Sequence, residues 1–160
     1  MIENRYQLTM NLGMSARYHQ MAETFYLRVN DISLFINLVF SSAAVVLVLR
    51  EHPMLAIGAA ILVSVTTALS LTMGTVRKAQ AHRDQYRRYV ELEARAADMD
   101  ERIFAAEIAR IERDDEPVIE AFRKKAYIDN LRRCGHEEEA KTCDLDFDWL
   151  ERLRLILTGA

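Results

Sequence analysis

Glycine and proline are scarce in this chain, five and two among 160 residues. After Gly74 neither occurs again until Pro117, so a helix can run through that stretch without an obvious breaker. No glycine-rich run of the kind that cradles phosphate is present, no serine sits in a nucleophile elbow, and no carboxylate pair lies in an apolar setting. The common enzyme constellations are therefore excluded, and the expectation is a non-enzyme with no catalytic residue, no metal and no cofactor. Cysteine is equally rare: Cys134 and Cys143 are the only two. One disulfide is open to them, yet two reduced thiols are expected. With His136 they match no usual structural-zinc spacing, and a fourth ligand is missing nearby. The N-terminus opens Met-Ile-Glu-Asn-Arg-Tyr and shows no signal peptide, since the first apolar run starts only near residue 32 and has no small-residue cleavage site.

The absence that organises the chain is of charge. Residues 32–49 and 53–76 hold no Asp, Glu, Lys or Arg, and only Arg50, Glu51 and His52 part them. Each run reaches about 18 residues or more, the length a helix needs to cross the ~30 Å hydrocarbon core. A buried hairpin in a soluble bundle is the alternative, but soluble core helices keep a polar face at helical period. These runs have none, so they read as a transmembrane helical hairpin. The overall charge of −3 and the mean hydropathy of −0.09 hide this segregation, because the charged residues lie outside the hairpin. Basic residues then orient it. Arg17 and Arg28 precede the first span, Arg77, Lys78, Arg83, Arg87, Arg88 and Arg95 follow the second, and the connection carries Arg50 alone. Both termini are expected in the cytoplasm.

No stretch shows sustained alternation, so the expected fold class is all-α, with long cytoplasmic helical extensions and an oligomeric assembly. Four parts are expected: a cytoplasmic helical segment over 1–31, the hairpin over 32–76, one long helix over 77–113 continuing the second span, and a helical tail over 114–160. Ser15 is the expected cap of the first helix, with Asn11 and Gly13 as interruptions before it. Tyr18, Met21, Ala22, Phe25, Val29 and Ile32 then recur as one helix face. On the 77–113 helix, Ala79, His82, Tyr86 and Tyr89 share a face, and Ala97, Phe104, Ile108 and Ile111 carry a weaker stripe. Asp114, Asp115, Glu116 and Pro117 read as a stop and a start. The next helix buries Val118, Ile119, Phe122, Ala126, Tyr127 and Leu131 and ends at Gly135. An acidic connector follows to about Asp146, then a short helix packing through Phe147, Leu150, Leu153 and Leu157.

Three groups of residues carry candidate functions. Ser33, Asn37 and Ser41 fall at i, i+4 and i+8 and form a polar stripe in the first span. It serves either as glue between helices, at about 0.6–2 kcal/mol per polar contact, or as the wall of a water path. Ala60, Ser64, Thr67, Leu71 and Gly74 form a small-residue stripe in the second span, suited to close packing. Arg77, Lys78, Arg83, Arg87 and Arg88, with Tyr86 and Tyr89 interleaved, either anchor the chain to anionic headgroups or seat a phosphate-bearing ligand whose bases stack on the tyrosines. His82 is read as a packed histidine, with a gate or proton sensor as the other reading. Arg123, Lys124, Lys125, Arg132 and Arg133 read as a solvated face.

The order of an aromatic, mildly basic helix (Ala16-Arg-Tyr-His-Gln-Met-Ala-Glu), two close-spaced spans, and Ala81-His82 with Tyr86, Tyr89 and Leu92 resembles the SLATT superfamily, two-span effectors of bacterial conflict systems. The resemblance covers roughly residues 15–110. It implies a membrane pore effector in antiphage defence, functionally partnered with a nucleotidyltransferase whose nucleotide or oligonucleotide product controls it, and depolarisation as the outcome. On that reading Arg83, Tyr86, Arg87, Arg88 and Tyr89 hold the nucleotide, and Ser33, Asn37 and Ser41 line the pore. The setting is the lipid bilayer of the bacterial inner membrane. Two helices enclose no water path, so a homo-oligomeric ring is required, with a tetramer the working expectation. The alternative is a non-conducting membrane scaffold whose cytoplasmic bundle docks a partner protein.

Overall fold

The computed structural model describes residues 5–42, 45–46, 50–115, 117–143 and 147–159. Among them the chain is all-helical, without a strand. The first helix, α1 (Arg5–Ser41), runs 37 residues, about 55 Å at 1.5 Å per residue. It starts well before Ser15, and Asn11 and Gly13 lie inside it. Glycine inside a helix costs about 0.5–1 kcal/mol relative to alanine, and here a close approach offsets that cost. A Cβ on Gly13 would stand 2.7 Å from Arg133 Nη2 and 2.9 Å from Asn130 Oδ1.

Midway, α1 changes character. Its first part buries Leu8, Leu12, Ala16, Tyr18, His19, Met21, Ala22 and Tyr26. Beyond Asp31 only Ser33 is buried, while Leu34, Phe35 and Leu38 stand exposed. The rest of the first apolar run, residues 43–44 and 47–49, lies outside the described residues.

Pro53 opens α2 (Pro53–Met73) at its first turn, where a missing N–H costs nothing. Ala59 is its one buried residue; Met54 and Leu71 are 82% and 78% exposed. Among the described residues, one helix is long and apolar enough to cross a membrane, the one beginning at Pro53. Its most apolar 18-residue window has a mean hydropathy of 2.1, and none of that window is buried. α2 meets α1 at the Thr66 carbonyl, which accepts from Ser33, and at Thr67, which donates to Asn37. Thr67 belongs to the small-residue stripe, but Ala60, Ser64 and Leu71 face outward.

Gly74 sits in the left-handed region (φ 58°, ψ 44°), caps α2 with its N–H on the Leu71 carbonyl, and passes the chain to α3 (Thr75–Arg95). A bend therefore separates the apolar helix from the amphipathic one, which returns along the first part of α1. The expectation of one helix over 77–113 fails at its middle. A 3₁₀ turn over Ala96–Asp98 ends α3, and Asp100 caps α4 (Glu101–Glu112) by accepting from the Arg102 N–H. No glycine or proline makes this break. The Arg5 guanidinium, from the far end of the sequence, donates to the Ala96 and Met99 carbonyls; the Ala96 carbonyl also accepts the Met99 N–H that closes the turn. The turn lets Phe104, Ile108 and Ile111 fold back onto Tyr89, Leu92, Leu8 and Leu12, with Ala96 buried in place of Ala97.

The tail adds α5 (Glu120–Arg133), α6 (Glu137–Cys143) and α7 (Trp149–Ile156). Pro117 to Ile119 precede the helix rather than opening it; Glu116 lies outside the described residues. Against α1, α5 buries Ala121, Phe122, Ala126, Ile128, Asn130 and Leu131, while Val118 and Tyr127 point outward, against expectation. Gly135 (φ 84°) ends α5, as its position suggests, and the His136 N–H reaches back to the Leu131 carbonyl. Part of the supposed connector is α6, and residues 144–146 lie outside the described residues. Asp148 and Glu151 form a capping box at the start of α7. That helix buries Leu155, not Leu150 or Leu153.

The two ends of the molecule thus differ in kind. Tyr89, Phe104, Phe122, Leu12 and Leu92 are each under 2% exposed in the helical bundle, and full burial of such side chains contributes about 1.5–3 kcal/mol apiece. The described residues between Ile32 and Met73 leave most of their large apolar side chains uncovered.

Candidate functional site

Where α1 and α3 cross, four rings form a ladder. His19 and Tyr26 are seven residues apart on α1, and His82 and Tyr89 are seven apart on α3, two helical turns in each case. The antiparallel crossing interleaves them. His82 stacks on Tyr26 (centroids 5.6 Å apart, planes 8° apart), His19 stacks on Tyr89 (5.4 Å, 20°), and the imidazoles meet in between, Nδ1 to Nδ1 at 2.9 Å. Tyr18 closes the side, edge-on to both histidines. Asp115, just beyond α4, lies 3.2 Å from His19 Nε2 and accepts the Tyr89 hydroxyl proton at 3.1 Å.

Burial sets the electrostatics. His82 is held down to about 4, first by desolvation, then by the neighbouring His19, with Lys78 adding and Asp115 opposing. His82 is therefore neutral near pH 7, in keeping with the Nδ1–Nδ1 contact, where one nitrogen donates and the other must be bare. The Tyr89 phenol is pushed well above its usual range by burial and then by the Asp115 carboxylate. Beside the pair lies a cavity of about 210 Å³ lined by His19, Ala81, His82, Asp84, Gln85, Arg88 and Asp114. Gln85 is buried against it, and its Oε1 has no hydrogen-bond partner.

The expected ligand residues do not gather around a base. Tyr89 is wholly buried, with His19 on its ring face, so it offers no platform for stacking. Arg83 pairs with Glu23 at 2.7 Å and Arg88 with Asp114 at 3.1 Å. Arg87 is exposed and Tyr86 half-buried against the core. Helical spacing had joined Tyr89 to the arginines; the crossing of α1 turns it inward.

The polar stripe of the first span is likewise engaged within the chain. Ser33 is buried and donates to the Thr66 carbonyl at 3.2 Å, and Asn37 Oδ1 accepts from Thr67 at 3.1 Å. Ser41 is exposed, but its hydroxyl bonds the Asn37 carbonyl of its own helix at 2.6 Å. His82 is a packed histidine, as read. His19 and Asp115 were not singled out, although the matching His-x6-Tyr spacings on two helices carried the signal. Compared with protein-family models, with curated proteins and with solved structures, the chain matches none.

Proposed function

We propose that this protein is a membrane effector of the bacterial inner membrane, its apolar segments a two-span hairpin with both termini in the cytoplasm. Several copies form a ring that passes ions when a nucleotidic signal reaches the cytoplasmic bundle, in antiphage defence, as the resemblance to SLATT effectors implies. The observation that carries the membrane part is the uncovered apolar surface from Ile32 to Met73, beside a bundle that buries its own apolar residues. Lipid or further copies are the surroundings such a surface tolerates. The outward Ala60 and Ser64 leave small side chains on α2 where a second copy's helix can come close. A phosphate-bearing ligand would meet Arg83, Arg87 and Arg88 at the surface, in competition with Glu23 and Asp114. Tyr86 is the one aromatic left to it.

A second reading, a non-conducting scaffold, is favoured by the Ser33–Thr66 and Asn37–Thr67 bonds, which use the polar stripe as glue inside one protomer. Ion flux from proteoliposomes separates the two. A channel releases a trapped small ion, and Asn37→Leu alters the rate. A scaffold releases none, and Asn37→Leu lowers only its stability.

A further inference from the structure

We propose that the His19–His82 pair is an acid-released clasp between α1 and α3: it holds while at least one Nδ1 is bare and parts when both imidazoles carry two protons. The chemistry follows from the 2.9 Å contact. With one Nδ1 protonated the atoms share a hydrogen bond. With both protonated, two N–H groups and two positive charges face each other at that distance, out of reach of bulk water. Each helix turns different groups toward the pair. From α1 come the rings of Tyr18 and Tyr26 and, nearby, Glu23, already held by Arg83. From α3 come Lys78, poised 5.4 Å over the Tyr26 ring, and Tyr89, Asp84 and Arg88. From the end of α4 and beyond come Glu112, Asp114 and Asp115.

Asp115 lies 3.2 Å from His19 Nε2. For a charge on His82 it is outweighed by burial and by His19, Lys78 also opposes that charge, and Asp114 is engaged by Arg88. The cavity of about 210 Å³ gives protons a way in, since Asp84 and Arg88 on its rim are exposed. Gln85, with its bare Oε1, offers a water entering there an acceptor. What parts is the seam joining α1 to α3, and through Gly74 to the apolar helix, so acid would loosen the bundle at the base of the spans. This holds whether or not those spans conduct.

The test is the pH profile of thermal unfolding for the full chain in nanodiscs, from pH 8 to 4.5, for wild type, His82→Asn and His19→Asn. Because the folded chain refuses a proton that the unfolded chain takes up, wild-type stability should fall as pH drops below about 6.5, the unfolding constant rising by up to tenfold per pH unit. His82→Asn, less stable at pH 8, should lose that part of the slope; His19→Asn, which leaves His82 buried, should keep the part due to burial and lose the part that His19 adds, so that each gap to wild type narrows in acid. Parallel profiles would overturn the clasp. Should either variant fail to fold, nitrogen-15 imidazole resonances of wild type decide alone. His82 neutral at pH 5.5 supports the proposal, and His82 titrating near the ordinary imidazole value overturns it.

Discussion

Gly74→Ala probes the joint between the apolar helix and the bundle. The residue's φ of 58° lies in the left-handed region, where a Cβ costs about 1–2 kcal/mol. Space is not the issue, because the nearest atom to a Cβ there is Arg77 Nη2, an ordinary 3.7 Å away. Alanine has an alternative: it favours a straight helix by about 0.5–1 kcal/mol over glycine, so straightening the joint competes with tolerating the strain. Together the two terms tilt the balance toward a straight helix by about 1.5–3 kcal/mol. Straightening would swing α3 off α1 and uncover Tyr89 and Leu92, at about 1.5–3 kcal/mol each, besides two ring stacks at about 0.5–1.5 kcal/mol each. The bend wins, and the strain stays. Gly74→Ala should therefore lower stability by about 1–2 kcal/mol, a fall in Tm of about 2–8 °C for a chain of this size. Gly74→Asn should cost less, because asparagine visits this region more readily. Circular dichroism melts in detergent provide the reading. An unchanged or raised Tm for alanine, or an asparagine variant weaker than alanine, would refute the reasoning.

Phe104→Ala empties a fully buried position where α4 meets α3. It should cost about 3–5 kcal/mol, with faster hydrogen exchange across Glu101–Glu112. A loss under 1 kcal/mol would mean that α4 is not docked. Tyr89→Phe keeps the ring under His19 but removes the donor to Asp115. A hydrogen bond to a charged group contributes about 1.5–3 kcal/mol, and water can partly replace it because the Asp115 side chain is 25% exposed. Denaturant titration should thus report a loss of about 1–2 kcal/mol. No loss would mean that the Tyr89–Asp115 bond contributes nothing to stability.

The apolar helix that begins at Pro53 was legible because its signal is local: no charge over a span's length needs no knowledge of what lies elsewhere. Helix faces such as Tyr18, Met21 and Ala22, or Phe104, Ile108 and Ile111, were legible for the same reason. The break after Arg95 was not, because the side chain that binds its carbonyls is Arg5, more than ninety residues away in sequence. Its nearer cue, Asp100 as a cap, is a residue type common in any helix. Tyr89 was misread in the other direction. Spacing places it beside Arg83 and Arg87 on α3, but only the crossing of α1 decides which neighbour faces the core. Gly13 misled similarly: read alone it suggests an interruption, and only the closeness of Arg133 and Asn130 reveals its use.

Alkaline carbonate extraction of membranes from cells expressing the full chain is the plainest trial of the account. The uncovered apolar surface between Ile32 and Met73 predicts a protein that stays in the pellet and enters solution only with detergent. Recovery in the carbonate supernatant, as a monodisperse species without detergent, would contradict it.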